Sequence, residues 1–158
     1  MPTLVWRICA RRHAQRSFSG DGARRYGGRW NHRGTAIVYT AATLSLSALE
    51  LLVNLDPDTI PEDLVAISGS IPDGMEIAEI SLRSLPRKWR SYPASEQLQQ
   101  QGRTWVRTGR TAVLSVPSAV VPRERNYLLN PAHPDFANIQ IGKPEAFHLD
   151  PRLWKSRR

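Results

Sequence analysis

The chain has 158 residues, 41% of them hydrophobic and 23% charged, and carries a net charge of +8 at pH 7. That balance fits one globular domain spanning 1–158 and excludes a disordered chain. No apolar run approaches the roughly 20 residues that cross a bilayer.

The N-terminal "MPTLVWRICARRH" has no signal-peptide apolar core, so a cytoplasmic protein without a membrane partner is expected. The single Cys9 excludes an internal disulfide and a cysteine-rich zinc site. His13, His32, His133 and His148 show no metal-ligand spacing, so no metal is expected. Of the 22 basic residues only Lys88, Lys143 and Lys155 are lysine. Arginine is favoured where phosphates or carboxylates are gripped bidentately, although a GC-rich genome gives the same bias. The charge therefore fits nucleic acid, a phosphate-bearing small molecule or an acidic protein.

In chain order, "TLVWRICA" (3–10) predicts a first strand. Residues 17–34 form a loop in which Arg24, Arg25, Arg29 and Arg33 crowd against glycines. Glycine lets backbone approach a ligand closely, and arginine supplies a forked cation, so an anion site competes here with a flexible surface loop. "TAIVYTA" (35–41) is a β-branched strand with Ile37 and Tyr39 on one face. Residues 43–55 carry apolar positions at 44, 48, 51, 52 and 55, a helical stripe closed by Pro57. Residues 62–71 and 75–81 predict two strands across a Pro-Asp-Gly turn at 72–74. Residues 94–109 predict a helix with Ser95 as cap and Gly109 as stop. "AVLSVPSAVVP" (112–122) is a strand interrupted by Pro117, residues 130–136 are a turn-rich loop, and "NIQI" and "AFHL" are late strands. The pattern is α+β, without the regular βα alternation of a doubly wound sheet.

Glu50 stands among Leu49, Leu51 and Leu52. Two readings are open. Ser47-x-x-Glu50 matches a capping box, while Thr43 or Ser45 would cap a longer helix and leave Glu50 free to stabilise developing positive charge. Arg29, after two glycines, is either presented from a tight turn or solvated. Tyr39 is by default a core residue with its hydroxyl satisfied. Ser118 follows Pro117 without a His/Asp partner, which favours positioning over nucleophilic attack. Asn126 and Asn130 are by default turn residues.

"GARRYGGRWNHRGTAIVYTA", "LSALELL", "VPSAVVPRERNYLLNPAHPDF" and "HLDPRLW" together resemble the RES domain family, from about Trp6 to Trp154. The arginine, glutamate and serine of the family name correspond to Arg29, Glu50 and Ser118. The resemblance implies an ADP-ribosyltransferase-like split β-sheet core with flanking helices. It also implies the toxin of a bacterial toxin–antitoxin module that consumes NAD, with an Xre-type helix-turn-helix antitoxin as partner. Arg29, Tyr39, Glu50 and Ser118 match functional positions, and Arg7 and Asn126 are expected in the same cleft.

The residue chemistry is compatible with this. Nicotinamide leaves NAD neutral and needs no general acid. Arginines suit the pyrophosphate and a desolvated Glu50 suits an oxocarbenium-like ribose; Tyr39 would bound the nicotinamide and Ser118 orient the amide or ribose. Water, phosphate or a protein would accept the ADP-ribose, a dedicated protein-specific transferase being the alternative. The rivals from other classes are a basic nucleic-acid-binding module, which lacks a recognition signature, and an interaction protein with a basic face. DNA binding by the isolated chain is not expected.

Overall fold

The computed structural model describes residues 1–154. Its strands are β1 (Thr3–Ala10), β2 (Val38–Ala41), β3 (Leu64–Ile71), β4 (Ile77–Glu79), β5 (Val113–Pro117), β6 (Arg125–Leu129), β7 (Gln140–Ile141) and β8 (Glu145–Phe147). Its α-helices are α1 (Asp21–Tyr26), α2 (Leu44–Leu52) and α3 (Glu96–Thr108). The fold is α+β, as the sequence pattern predicts.

The strands form one mixed sheet in the order β4-β5-β6-β2-β1-β3-β7, with β8 also pairing β3. β1 runs along β3 from Thr3↔Ile71 to Ala10↔Leu64, but meets β2 only at Trp6↔Ala41. The sheet is therefore split between β1 and β2. Its halves curl together over one core: Val5, Val65, Ile67 and Ile71 from one half meet Val38, Val113 and Leu129 from the other. The outer faces are covered too. Ile8, Leu64 and Ala66 pack under Leu44, Ala48, Leu51 and Leu52 of α2, and Leu114, Val116 and Leu128 pack under Leu98 and Trp105 of α3. Burial on both faces makes "VLSVP" a fully buried strand without alternation.

Local signals decide most termini. Ser95 Oγ accepts from Leu98 N, and Gly109 ends α3 at φ 60°, as read from the sequence. Thr43 caps α2, its Oγ1 accepting from Leu46 N at 3.0 Å, while Ser47 N bonds to Thr43 O one turn in. Ser47 is thus interior and the capping-box reading of Glu50 is overturned. Leu51 and Leu52 face the core whereas Leu49 is exposed, so Glu50 is half-buried and not enclosed by leucines as the sequence suggests.

Four further expectations change. The Gly/Arg loop contains α1, whose Arg24 and Arg25 both pair with Asp21 and point outward. The strands on either side of the 72–74 turn do not pair: β3 joins β1, and β4 runs parallel to β5 at the far end of the strand order. Pro117 ends β5 rather than interrupting it, and Asn126 lies in β6, a strand the sequence reading missed, between Ala41 and Val116. Asn130 is a turn residue as expected, its Oδ1 accepting from Ala132 N.

The Thr43 cap has a measurable consequence. Thr43→Ala is expected to cost about 1 kcal/mol in equilibrium unfolding, while Ser47→Ala, inside the helix, costs little. The opposite ranking would restore the capping box.

Candidate functional site

The geometry starts from a four-residue turn, Gly28–Asn31, closed by Gly28 N to Asn31 O and Asn31 N to Gly28 O. It presents Arg29 at its tip. Tyr39, on β2 opposite, donates from its hydroxyl to Asn31 Oδ1 at 2.6 Å and accepts from Trp30 N at 3.0 Å. A Cβ at Gly28 would lie 2.7 Å from that hydroxyl, which explains the glycine. Asn31 is fully buried, its Nδ2 donating to the carbonyls of Ala23, His32 and Thr35. From the other side Gln99 Nε2 of α3 donates to Gly28 O and Asn31 O. At Gly102 the helix lies so close that a Cβ would stand 1.7 Å from Trp30 O. Asn31, Gln99 and Gly102 were not singled out by sequence reasoning; their partners lie on other elements, and no local spacing announces them.

Tyr39 therefore acts as a positioning residue for Arg29. Burial pushes its phenol well above the usual value, so it remains a donor. Arg29 in turn donates from Nη1 to Trp89 O at 2.9 Å and Ser91 O at 3.0 Å. Burial lowers its guanidinium pKa, the charges of Glu50 and Tyr39 raise it, and Arg90 lowers it. No ion pair joins Arg29 to Glu50 among the described residues. The two opposite charges are near enough to influence each other and are not paired.

Glu50 stands on the second turn of α2 and meets Ser118 and Asn126. Ser118 Oγ donates to Glu50 Oε1 at 2.7 Å, and Asn126 Nδ2 donates to the same oxygen at 2.6 Å. Ser118 is fully buried, and its Oγ accepts from the backbone of Val120 at 3.1 Å and Val121 at 3.0 Å. With two N–H groups directed at that oxygen, its single proton points at the carboxylate. The arrangement makes Ser118 an orienting donor to Glu50, and no histidine stands beside its hydroxyl. Glu50 Oε2 receives no hydrogen bond from the described residues. Asn126 Oδ1 is buried without a partner, an acceptor open to a ligand donor.

Arg7 is set apart from this trio. Its Nη1 donates to Tyr39 O at 3.0 Å across the split between β1 and β2. Burial lowers its pKa, no carboxylate pairs with it among the described residues, and Nε is buried without a partner. An uncompensated buried guanidinium is costly and suits an anionic ligand. The structure thus joins Glu50, Ser118 and Asn126 directly, sets Arg29 within electrostatic reach of Glu50, and links Arg7 only through Tyr39. A cavity of about 800 Å³ elsewhere, between β4 and α3, is lined by Ala78, Ile80, Gln97, Gln101 and Trp105 and contains none of these residues. Among the described residues no group of His, Cys, Asp and Glu has the arrangement of a metal site, and no helix is long and apolar enough to cross a membrane.

Fold and cluster define an α+β protein whose split sheet carries a helix carboxylate held by one hydroxyl and one amide. The chain belongs to the RES domain family, whose model matches residues 4–150. It is 40% identical over 157 residues to the "Prs ADP-ribosylating toxin" of Sphingobium sp. (strain YBL2), covering 97% of this chain and 98% of that one. It is 36% identical over 151 residues to "Toxin Res" of Yersinia enterocolitica, covering 95% and 99%. Among solved structures it is similar to the toxin–antitoxin complex MbcT–MbcA of M. tuberculosis, with a TM-score of 0.75 over 98% of this chain and 88% of that one. At 16% identity this last likeness concerns the fold.

Tyr39→Phe leaves Asn31 Oδ1 and Trp30 N without their partner. A loss of about 1–3 kcal/mol is expected by urea unfolding, with faster hydrogen exchange at the Trp30 amide. A variant as stable as the parent, with an unchanged Trp30 amide, would show that the turn is held by other contacts.

Proposed function

We propose that the protein is the toxin of a bacterial toxin–antitoxin pair and cleaves NAD between nicotinamide and ribose, handing ADP-ribose to water, phosphate or a protein. The whole chain, 1–158, works as one catalytic domain in this reading. The observation that carries it is the carboxylate of Glu50, held through Oε1 by Ser118 and Asn126 with Oε2 free, opposite Arg29. Family membership and the names of the relatives support it.

A fixed carboxylate with one open oxygen suits an electron-poor ribose. As the bond from C1′ to the pyridinium nitrogen lengthens, the ring gains positive charge and the nicotinamide loses it. Glu50 stabilises the first through a carboxylate already oriented before reaction. The second needs no proton donor, which is consistent with a cluster built without histidine. Arg29 and Arg7 hold the pyrophosphate, and Asn126 Oδ1 accepts from a ribose hydroxyl or the nicotinamide amide. Tyr39 acts through Arg29, and so need not touch nicotinamide. An ADP-ribosylating relative favours a protein among the possible acceptors. A helix-turn-helix antitoxin of the Xre type blocks the site in this reading, and the likeness to a solved toxin–antitoxin complex supports an antitoxin partner.

Glu50→Gln keeps an oxygen able to accept from both Ser118 Oγ and Asn126 Nδ2. It is expected to melt close to the parent while releasing nicotinamide from NAD about 10²–10³-fold more slowly. A folded variant that cleaves NAD at the parent rate would refute the mechanism.

Expression of the parent should arrest growth, and co-expression of a neighbouring helix-turn-helix gene should relieve it. Normal growth with abundant folded parent protein would remove the toxin reading.

A further inference from the structure

Residues 80–95, which join β4 to α3, contain Arg83, Arg87, Lys88 and Arg90 and no acidic residue. All four cations are exposed, and none takes part in an ion pair among the described residues. Tyr92 is 89% exposed on the same stretch, whereas Trp89, three residues earlier, is buried against Leu98 and Leu114.

The stretch is held at both ends of the candidate site. Trp89 O and Ser91 O accept from Arg29, and Arg90 Nε donates to Ala119 O, next to Ser118. It therefore walls the cluster from the side of Arg29 to the side of Ser118: Arg90 is tied to that wall, while Arg83, Arg87, Lys88 and Tyr92 are exposed. Outward-facing groups are poorly placed for a small substrate inside the cleft. An aromatic ring on a tethered backbone costs little entropy to immobilise, and such residues anchor protein interfaces. Unpaired cations around it attract a surface of opposite charge and speed encounter.

We infer that the outer face of residues 80–95 docks an acidic patch of the protein that accepts ADP-ribose, with Tyr92 as anchor and Arg87 and Lys88 as steering charges. The inference rests on the NAD-cleavage reading above. In the transfer, a nucleophilic oxygen or nitrogen of the docked protein forms the bond to ribose C1′. The bond from C1′ to the pyridinium nitrogen breaks, its electron pair leaves with neutral nicotinamide, and the acceptor's displaced proton passes to solvent. Docking beside Arg29 and Ser118 brings that nucleophile to the ribose.

The test compares two readouts for the parent, Tyr92→Ala and the double variant Arg87→Glu/Lys88→Glu. Nicotinamide release is followed with NAD in phosphate buffer, and incorporation of labelled ADP-ribose is followed in host lysate. The expected result is release within about twofold of the parent and incorporation into protein reduced about tenfold or more. Salt should weaken incorporation by the parent more than by the charge-reversed variant. Equal loss of both readouts would make the stretch part of the NAD site. Unchanged incorporation, label in a nuclease-sensitive fraction, or loss only of antitoxin neutralisation would each overturn the inference and name another occupant. A parent that releases nicotinamide but labels no macromolecule removes this inference and leaves the NAD reading standing; a parent that releases none removes both.

Discussion

The hydroxyl of Tyr39 uses both of its hydrogen-bonding functions on the turn that carries Arg29, and the surrounding architecture is arranged around that contact. Gly28 has no side chain because Tyr39 occupies its place, and Gly102 has none because α3 must reach Trp30 O. Asn31 satisfies the backbone of the preceding and following loop, so the turn has carbonyl partners without a strand beside it. Arg29 then extends the order outward by fixing Trp89 O and Ser91 O. Three sequence-distant segments thus take their positions from one phenol.

The split in the sheet gives this arrangement its opening. Where β1 and β2 share only Trp6↔Ala41, the Arg7 guanidinium reaches across the gap and bonds to Tyr39 O. A buried cation without a carboxylate is tolerated because the fold gains a bridge across the gap. Glu50 follows a different logic. It is only half-buried and is held by neutral donors, so its charge is oriented without being cancelled. A direct ion pair with Arg29 would have closed the space between them.

What was legible in the sequence was what is local. β1, α3 with Ser95 and Gly109, and the turn at Asn130 are each specified by residues within a few positions of one another. β6 was not legible because "RNYLL" opens with two polar residues whose partners are distant: Arg125 bonds to Ser115 and Ile80, and Asn126 to Glu50. The pairing of β4 with β5 and not β3 depends on closure of the whole sheet, about which a Pro-Asp-Gly turn says nothing. Ser47-x-x-Glu50 misleads because the pattern is satisfied by chance inside a helix that begins at Thr43. The identities of Arg29, Glu50 and Ser118 came from a resemblance; their meeting across 68 residues between Glu50 and Ser118 is a property of the fold.

The basic surplus, which the sequence presents as a single quantity, divides into unlike tasks. Arg24 and Arg25 lie on α1 in ion pairs with Asp21, and exposed pairs of this kind contribute little stability. Arg125 is structural, linking the start of β6 to Ser115 of β5 and to the carbonyl of Ile80 just past β4. Arg7 and Arg29 face inward on backbone carbonyls, with a buried Nε on Arg7 still lacking an acceptor. Arg90 is likewise tied to the carbonyl of Ala119, whereas Arg83, Arg87 and Lys88 are exposed and unpaired among the described residues, on a stretch without an acidic residue. Net charge therefore predicts an anionic partner but cannot say which arginines meet it. The distinction comes from carbonyl acceptors: a guanidinium already bonded to backbone is fixed in place, and one that is fixed with donors to spare is prepared for a ligand.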